Sequence, residues 1–521
     1  MDAIIQKYNI FAILGHMKHL SSALCLLAAN LAAGAREKPN IIVFLVDDMG
    51  PMDTSVPFIT DRSGNPVRYP FNDWYNTPAM ERLASQGVRF SQFYAMSVSS
   101  PSRVSLMTGQ YSARHHTTNW INSESDNRDG FGPYGWGWGG IAEEEWTLPR
   151  MLSATGYRTI HIGKAHFGNN DSPAADPLRI GFDVNIAGSS IGEPGSYYGE
   201  DGYGFIKGYR PRAVPGLEKY HGTDTFLSEA LTLEAMEQID SAAASGAPFF
   251  LYMSHYAVHT PHQTDPRFIG HYEADSTRPE NAKGFATLIE GMDKSLGDIM
   301  DHLEEKGLAG NTLIIFMGDN GTGLFLGTDR DHCSSAPLRG MKGTEFEGGI
   351  RVPCIISWAR PEDNEVQGAL PIGKGVVRTD VASICDIYPT VASLVEADVP
   401  SGHPVDGQDI SGLLSDGSVS GTHRDEFLMH FPHEHRGSYF TVWRHGKWKL
   451  VYYYNPTHPE KPQCSLFNLA RDPFENRDLA SRRPRRTRVM LREMVSKLSE
   501  TGAQYPVDFR GNPIVPSASD Y

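Results

Sequence analysis

Four stretches of the chain are apolar, β-branched runs that stop abruptly at polar or glycine residues: NIIVFLVDD (40–48), YRTIHIGKAH (157–166), PFFLYMSHYAVH (248–259) and NTLIIFMGDNG (311–321). Runs of this kind predict strands buried on both faces. Between them the period changes to that of a helix. TPAMERLASQGV, LPRMLSATG and DTFLSEALTLEAMEQIDSAAASG are helical patterns, and from 281 to 308 Phe285, Leu288, Ile289, Met292, Leu296, Ile299, Met300 and Leu303 form one apolar stripe. Strands alternating with helices predict a doubly wound, largely parallel sheet covered on both faces. Gly, Pro and Asp then dominate near 360–380 and 400–420, as in a linker. After about residue 425 come β-rich patterns, YFTVWRHGKWKLVYYYN (439–455), and a helical run at 485–499. The expected fold class is therefore α/β: a large mostly parallel sheet sandwiched by helices over 36–424, and a smaller C-terminal domain with an antiparallel sheet over 425–521.

In open sheets of this kind, ligands sit outside the carboxyl ends of the strands. The residues expected there are Asp47 and Asp48, Lys164 and His166, His259, and Asp319 with Asn320. Each has an ordinary explanation, because Asp-Asp after a strand serves as a turn or cap and a lone His bonds to backbone. A fold needs no such set at four strand ends, and the coincidence points to a site. Asp47, Asp48, Asp319 and Asn320 offer only oxygen ligands, which favours Ca²⁺ or Mg²⁺ over zinc.

The formal net charge of −15 argues against nucleic acid or an anionic membrane surface as a general partner. An anionic substrate therefore requires cations gathered locally, and Lys164, His166, His259, Lys342 and Arg103 supply them. Such donors beside a divalent ion and a helix N-terminus suit a tetrahedral oxyanion, as in phosphate or sulfate esters. The stretch MSVSSPSRVSLMTGQY (96–111) reads as that helix start, with Ser100 as N-cap, Pro101 at the first helical position and Gly109 closing the segment. Capping leaves Ser99, Ser102 and Arg103 unexplained.

At the N-terminus, residues 17–35 read as a signal peptide: a basic start, a short apolar run and the small residues Ala33-Gly34-Ala35. Residues 1–16 carry no such signal, so Met17 is the expected start, and export to a periplasm or beyond is expected, with no membrane span. The five cysteines (25, 333, 354, 385, 464) show no C-x-x-C spacing and allow at most one or two bridges. Long loops interrupt the periodicity at 119–140 and 169–225. Trp136 and Trp138 could stack on a sugar or pin the first of these loops to the body. His433, His435 and Arg436, in HFPHEHRGSYF (430–440), could read a sugar or cap a strand junction.

SSPSRVSLMTG (99–109) matches the sulfatase signature at every fixed position: Cys or Ser, x, Pro, Ser, Arg, then Thr or Ser and Gly at the end. It comes with VDDMG, GYRTIHIGKAHFG, VHTPH, GDNG, RGMKGTEFEGGIRVP and LFNLARDPFENRDLA, all resembling sulfatase blocks in the usual order from about 39 to 480. The chain thus resembles a type I, formylglycine-dependent sulfatase of the alkaline phosphatase superfamily. The resemblance implies an alkaline phosphatase-like fold and conversion of Ser99 to formylglycine (3-oxoalanine). One hydroxyl of its hydrate attacks sulfur; the other later expels sulfate by collapsing to the aldehyde. Pro101 and Ser102 would be read by the modifying enzyme, and Arg103 would neutralise and orient the nucleophile. Asp47, Asp48, Asp319, Asn320 and the modified Ser99 would hold one Ca²⁺. Lys164 and His166 match the G-K-x-H-x-G block that holds and deprotonates the hydrate. His259 and Lys342 match the pair contacting the sulfate and the leaving oxygen, with His259 as general acid.

Ala165 and Phe167 stand where the family often carries Trp and Leu, both packing positions. Ser rather than Cys at 99 resembles prokaryotic sulfatases matured by an anaerobic, radical-type formylglycine-generating maturase. The expected substrate is a sulfated polysaccharide or oligosaccharide. Two alternatives remain at this point: a phosphoesterase or phosphonate hydrolase of the same superfamily, or a non-catalytic glycan-binding relative in which Ser99 stays unmodified.

Overall fold

The run beginning at Asn40 becomes the strand on which the rest of the sheet is built. A computed structural model of the protein describes residues 37–326, 334–417, 423–436, 439–458 and 460–521; the expected leader at 17–35, Cys25 and Cys333 lie outside them. In chain order the strands of the main body are β1 (Asn40–Val46), β2 (Val88–Phe90), β3 (Phe93–Tyr94), β4 (Arg158–Gly163), β5 (Val184–Ile186), β6 (Phe249–Ser254), β7 (Thr312–Gly318), β8 (Cys354–Trp358), β9 (Val376–Arg378) and β10 (Ala382–Ser383). Eight of them form one sheet in the order β5-β4-β6-β1-β7-β8-β2-β9, while β3 and β10 pair separately. Of these eight, only β8 runs antiparallel to its neighbours. The four predicted strands are the centre of the sheet, β4-β6-β1-β7, all parallel.

Alternation along β1 divides the interior. Ile41, Val43 and Leu45 face one apolar cluster and Ile42, Phe44 and Val46 the other, all with no solvent exposure. Burying each such side chain contributes roughly 1.5–3 kcal/mol, which is why unbroken apolar runs occur only where both faces are covered. On the second face lie the helices Leu227–Ser245 and Glu280–Glu305, and every residue of the predicted stripe from Phe285 to Leu303 is buried there.

The first face carries the helix Ser99–Thr108 and, over it, an antiparallel meander of β11 (Glu426–Phe431), β12 (Phe440–His445), β13 (Trp448–Tyr453) and β14 (Cys464–Asn468). Phe427, Leu428, Val442 and Leu450 belong to the same cluster as Ile41 and Val43, so Pro39–Tyr521 forms one compact unit with a continuous core. Charge ties the meander down as well. Lys449 of β13 is wholly buried, with its Nζ 3.1 Å from Glu347 and 2.7 Å from Glu475. Glu347 follows closely on the loop that carries Lys342, so the C-terminal sheet braces a site residue.

Among the described residues, no helix is long and apolar enough to cross a membrane. Cys354, Cys385 and Cys464 are free and buried.

Candidate active site

Adjacent parallel strands in register deliver their following residues side by side. Val46 of β1 pairs with Gly318 of β7, so Asp47-Asp48 and Asp319-Asn320 emerge together. Carboxylate oxygens of Asp47, Asp48 and Asp319 lie within 4.8 Å of one another, all buried. Asp48 turns into the left-handed region at φ 60°, and its N–H donates to Asp319 Oδ1 at 3.0 Å. Asn320 Nδ2 donates to Asp48 Oδ1 at 2.9 Å. The approach of the following loop requires Gly323, since a Cβ there would stand 2.6 Å from the Asp48 carboxylate.

Ser99 arrives from the helix beneath. Its Oγ donates to Asp47 Oδ1 at 2.9 Å, stands 3.3 Å from Asn320 Oδ1, and accepts from Lys164 Nζ at 3.2 Å. The expected N-cap at Ser100 is not observed. The helix begins at Ser99 after an extended Val98, with no side chain capping it. Ser100 Oγ instead accepts the Ile121 N–H at 3.0 Å, and Ser102 Oγ accepts the Met96 N–H at 2.9 Å, because both hydroxyls are turned to flanking loops. Gly109 closes the helix at φ 69°, as its sequence position suggests.

Arg103, one turn after Ser99 on the same helix face, is wholly buried, and none of its hydrogen bonds among the described residues goes to Ser99. Its Nε and Nη2 reach Asp319 Oδ2 at 3.0 and 2.8 Å, and Nη1 reaches Lys164 O at 3.0 Å and Ser254 Oγ at 2.7 Å. It therefore orders the carboxylate floor. Lys164 Nζ sits 2.6 Å from Asp47 Oδ2, and Lys342 Nζ lies 2.6 Å from Asp48 Oδ1. His259 faces Asp48 through Nε2 at 3.7 Å and Glu193 through Nδ1 at 3.5 Å. His166, at φ 55°, is bonded by Nε2 to the Ile121 carbonyl at 2.7 Å. A carbonyl only accepts, so Nε2 carries the proton and Nδ1, which is buried without a hydrogen-bond partner among the described residues, is left as an acceptor.

These contacts order the proton affinities. Burial pushes the Asp48 carboxyl up, but Lys342, His259 and Lys164 together outweigh it and hold it well below the usual carboxylate range. Asp319 goes the other way. Burial and the adjacent Asp47 push it up to about 6 in spite of Arg103 and Lys164. Burial lowers the Lys164 ammonium, against the pull of Asp47. Burial and then Lys164 put His166 well below its ordinary value, while burial and Lys342 bring His259 down to about 3 against Asp48. Both imidazoles are thus neutral at neutral pH. The floor fits a hard divalent cation: three crowded carboxylates, the Asn320 amide oxygen and the Ser99 hydroxyl are all oxygen donors, and Asp319 is raised by burial and then by the neighbouring Asp47, both of which such an ion would offset.

Ser99, Lys164, His166, His259 and Lys342 line one cavity of about 300 Å³. Its other walls include Trp120, Glu193, Arg212, His435 and Arg436. Trp120, Glu193 and Arg212 carry no signal in the sequence beyond membership of the two long loops. Trp136 and Trp138 are not among the lining residues and bond within their own loop, through Nε1 at 2.9 Å to Asp126 Oδ1 and to the Asn122 carbonyl. His433 is buried against Thr118 Oγ1 at 2.8 Å and lines no part of the cavity, whereas His435 and Arg436 do.

The family model described as Sulfatase matches residues 39–397. N-acetylgalactosamine-6-sulfatase of Mus musculus is 30% identical over 409 residues, 75% of this chain and 68% of its own. The solved structure of Ps i-CgsB in complex with k-i-k-neocarrahexaose superposes with a TM-score of 0.69 at 25% identity, over 89% of this chain and 94% of that one. The phosphonate monoester hydrolase of Agrobacterium radiobacter shares the fold, with a TM-score of 0.56 at 17% identity over 89% and 96% of the two chains.

Proposed function

The chain belongs to the sulfatase family of sulfuric ester hydrolases, and on that premise we propose that it removes sulfate from a sulfated oligosaccharide or polysaccharide, using Ser99 converted to formylglycine above a calcium ion. The observation that carries this reading is the placement of the Ser99 hydroxyl, at the foot of the cavity between the Asp47 carboxylate and the Lys164 ammonium. Asp47, Asp48, Asp319, Asn320 and residue 99 would hold the ion. When bound, calcium and the hydrated aldehyde would supply positive charge for an anionic ester and a hydroxyl nucleophile.

The remaining steps fall to this chain's own side chains. Lys164 donates toward residue 99 and lowers the proton affinity of its oxygen. His166, neutral and with Nδ1 open, accepts a proton in the same cavity. Lys342 and His259 stand together on the Asp48 side, where they hold the ester's oxygens. An arriving anion raises the proton affinity of His259, which then takes up a proton from solvent and can deliver it to the leaving oxygen. Arg103 stays out of contact with the ester and keeps Asp319 in place.

A glycan substrate is supported by the relatives, one named for N-acetylgalactosamine 6-sulfate and one holding a neocarrahexaose, and by the cavity wall of Trp120, Glu193, Arg212 and Arg436. The sequence pattern of a leader at 17–35 supports export to a periplasm or beyond, and Ser at position 99 supports maturation by an anaerobic radical enzyme. Assay against matched aryl sulfate and aryl phosphate tests the reaction, and a preference for phosphate would overturn it. A panel of defined sulfated oligosaccharides then identifies the sugar.

Two further outcomes are expected. Chelation of divalent ions lowers kcat/KM for an aryl sulfate by about 100-fold or more, and added Ca²⁺ restores it; full activity after exhaustive chelation would contradict the cation role. Arg436, whose Nη1 has no hydrogen-bond partner among the described residues, lines the same cavity as Trp120. Arg436→Ala raises KM for the oligosaccharide substrate roughly ten-fold and leaves aryl sulfate turnover unchanged. Equal losses on both substrates would remove it from sugar recognition.

A further inference from the structure

Residues 482–492 read RRPRRTRVMLR, six arginines without one acid in a chain of net charge −15. They open the helix Pro484–Glu500, whose N-cap is Arg483, with no capping side chain and no acid in the first turn. A helix N-terminus carries partial positive charge, so each cation there is unfavourable where Asp or Glu would stabilise the helix. Arg482, Arg483, Arg485 and Arg486 are also exposed and form no ion pair among the described residues. An arrangement adverse to both helix and local charge balance becomes favourable once an anion lies across it.

The fold builds a groove there. These four arginines, with Lys447 and Arg471, line a hollow of about 870 Å³ that has no carboxylate in its wall. A second hollow of about 450 Å³ shares Trp448, Asn468, Arg471 and Arg483 with it, which makes the surface longer than a single small anion requires. The acid in that second wall, Asp472, is engaged by the backbone N–H groups of Asn476 and Arg477 at 3.1 and 2.8 Å. Trp448 is half-buried between the hollows, with Arg486 5.6 Å from its ring centre. Asn468 is 7% exposed, and its Oδ1 has no hydrogen-bond partner among the described residues. That buried acceptor requires a donor, which a sulfate group does not carry and a sugar hydroxyl does. Cations, an aromatic face and an unpaired acceptor together match a sulfated, hydroxyl-rich chain.

We propose that this groove is a second binding site for sulfated polysaccharide, which holds the polymer at a place sharing no lining residue with the cavity at Ser99. The inference rests on the reading that the substrate is a sulfated glycan. Holding a polymer at a second point raises the local concentration of its sulfate esters without changing the chemistry.

The test uses the full mature chain carrying Ser99→Ala, so that binding is read without turnover, alone and with R485E/R486E added. Both reversals place carboxylates where the helix dipole favours them, so the fold is expected to hold, and a thermal melt checks this. Retention is measured by affinity electrophoresis in gels containing carrageenan, chemically desulfated carrageenan, or double-stranded DNA. R485E/R486E is expected to bind carrageenan about ten-fold more weakly, with a shallower salt dependence. The same pair in the active enzyme leaves aryl sulfate hydrolysis unchanged. Desulfated carrageenan is expected to give no retention. Unchanged carrageenan retention in the variant, or DNA retention as strong as carrageenan retention, overturns the proposal. Failure of the proposed function would show separately, as an active-site-intact enzyme that releases no sulfate from aryl or carbohydrate esters.

Discussion

Replacing Ser99 by alanine lowers turnover of an aryl sulfate by on the order of 10⁴-fold or more, with little loss of stability. The substitution removes one hydroxyl and leaves the Lys164–Asp47 pair at 2.6 Å and the Arg103–Asp319 pair at 2.8 Å in place. Those pairs, not the serine, hold the floor together, so the thermal transition moves little while the chemistry is lost. The same position is read directly by mass spectrometry. In a host with the maturase, the peptide containing residue 99 is two hydrogens lighter than the encoded serine peptide. In a host without it, the encoded mass is found and turnover falls to the level of Ser99→Ala. Full turnover from a protein whose residue 99 keeps the serine mass would overturn the formylglycine reading, and substantial activity in Ser99→Ala would remove this residue as nucleophile.

The second large effect is on stability. Arg103 is fully buried, and three of its nitrogens serve Asp319, the Lys164 carbonyl and Ser254. Arg103→Met keeps the volume and strips the donors, which leaves the Asp319 carboxylate without its cation. Removing one partner of a buried pair costs about 3–5 kcal/mol, because the other charge stays desolvated. The loss is expected to be largest in chelator and smaller in Ca²⁺, since a cation on Asp319 takes over part of the neutralisation. Urea midpoints under the two conditions measure the difference. A midpoint in chelator equal to that of the parent would contradict the assignment. Arg103→Lys is expected to lie between, because one ammonium does not reach a carboxylate, a carbonyl and a hydroxyl in the fork that a guanidinium spans.

Much of this site is legible in the amino-acid sequence, for a reason visible in particular residues. Asp47 and Asp319 follow unbroken apolar strands, Lys164 and His259 follow strands that are largely apolar, and parallel strands necessarily bring their carboxyl ends to one edge. Ser99 is marked by its signature and Gly109 by the left-handed end of its helix. The grammar of that helix start is less legible. Ser100 and Ser102 are good caps by residue type, but their hydroxyls turn to Ile121 and Met96 in flanking segments, a choice made by packing. Trp136 and Trp138 suit a sugar platform by composition, whereas Trp120 in the same loop lines the cavity. Nothing in the local pattern separates the three tryptophans.

Residue order alone settles the alternation of strands and helices, the oxygen-only character of the floor and the family to which the chain belongs. These are properties of backbone periodicity and side-chain chemistry, and both act over a few residues. Only the folded chain shows that Arg103 bonds to Asp319, that Glu193, Arg212 and Arg436 line one cavity, and that His433 is enclosed while His435 lines that cavity. The meeting of Lys447, Asn468, Arg471 and the arginines from 482 onward in one groove is of the same kind. Each of these depends on which distant segments the core draws together, and that is set by the burial of apolar faces across the whole chain, not by the residues that end up touching.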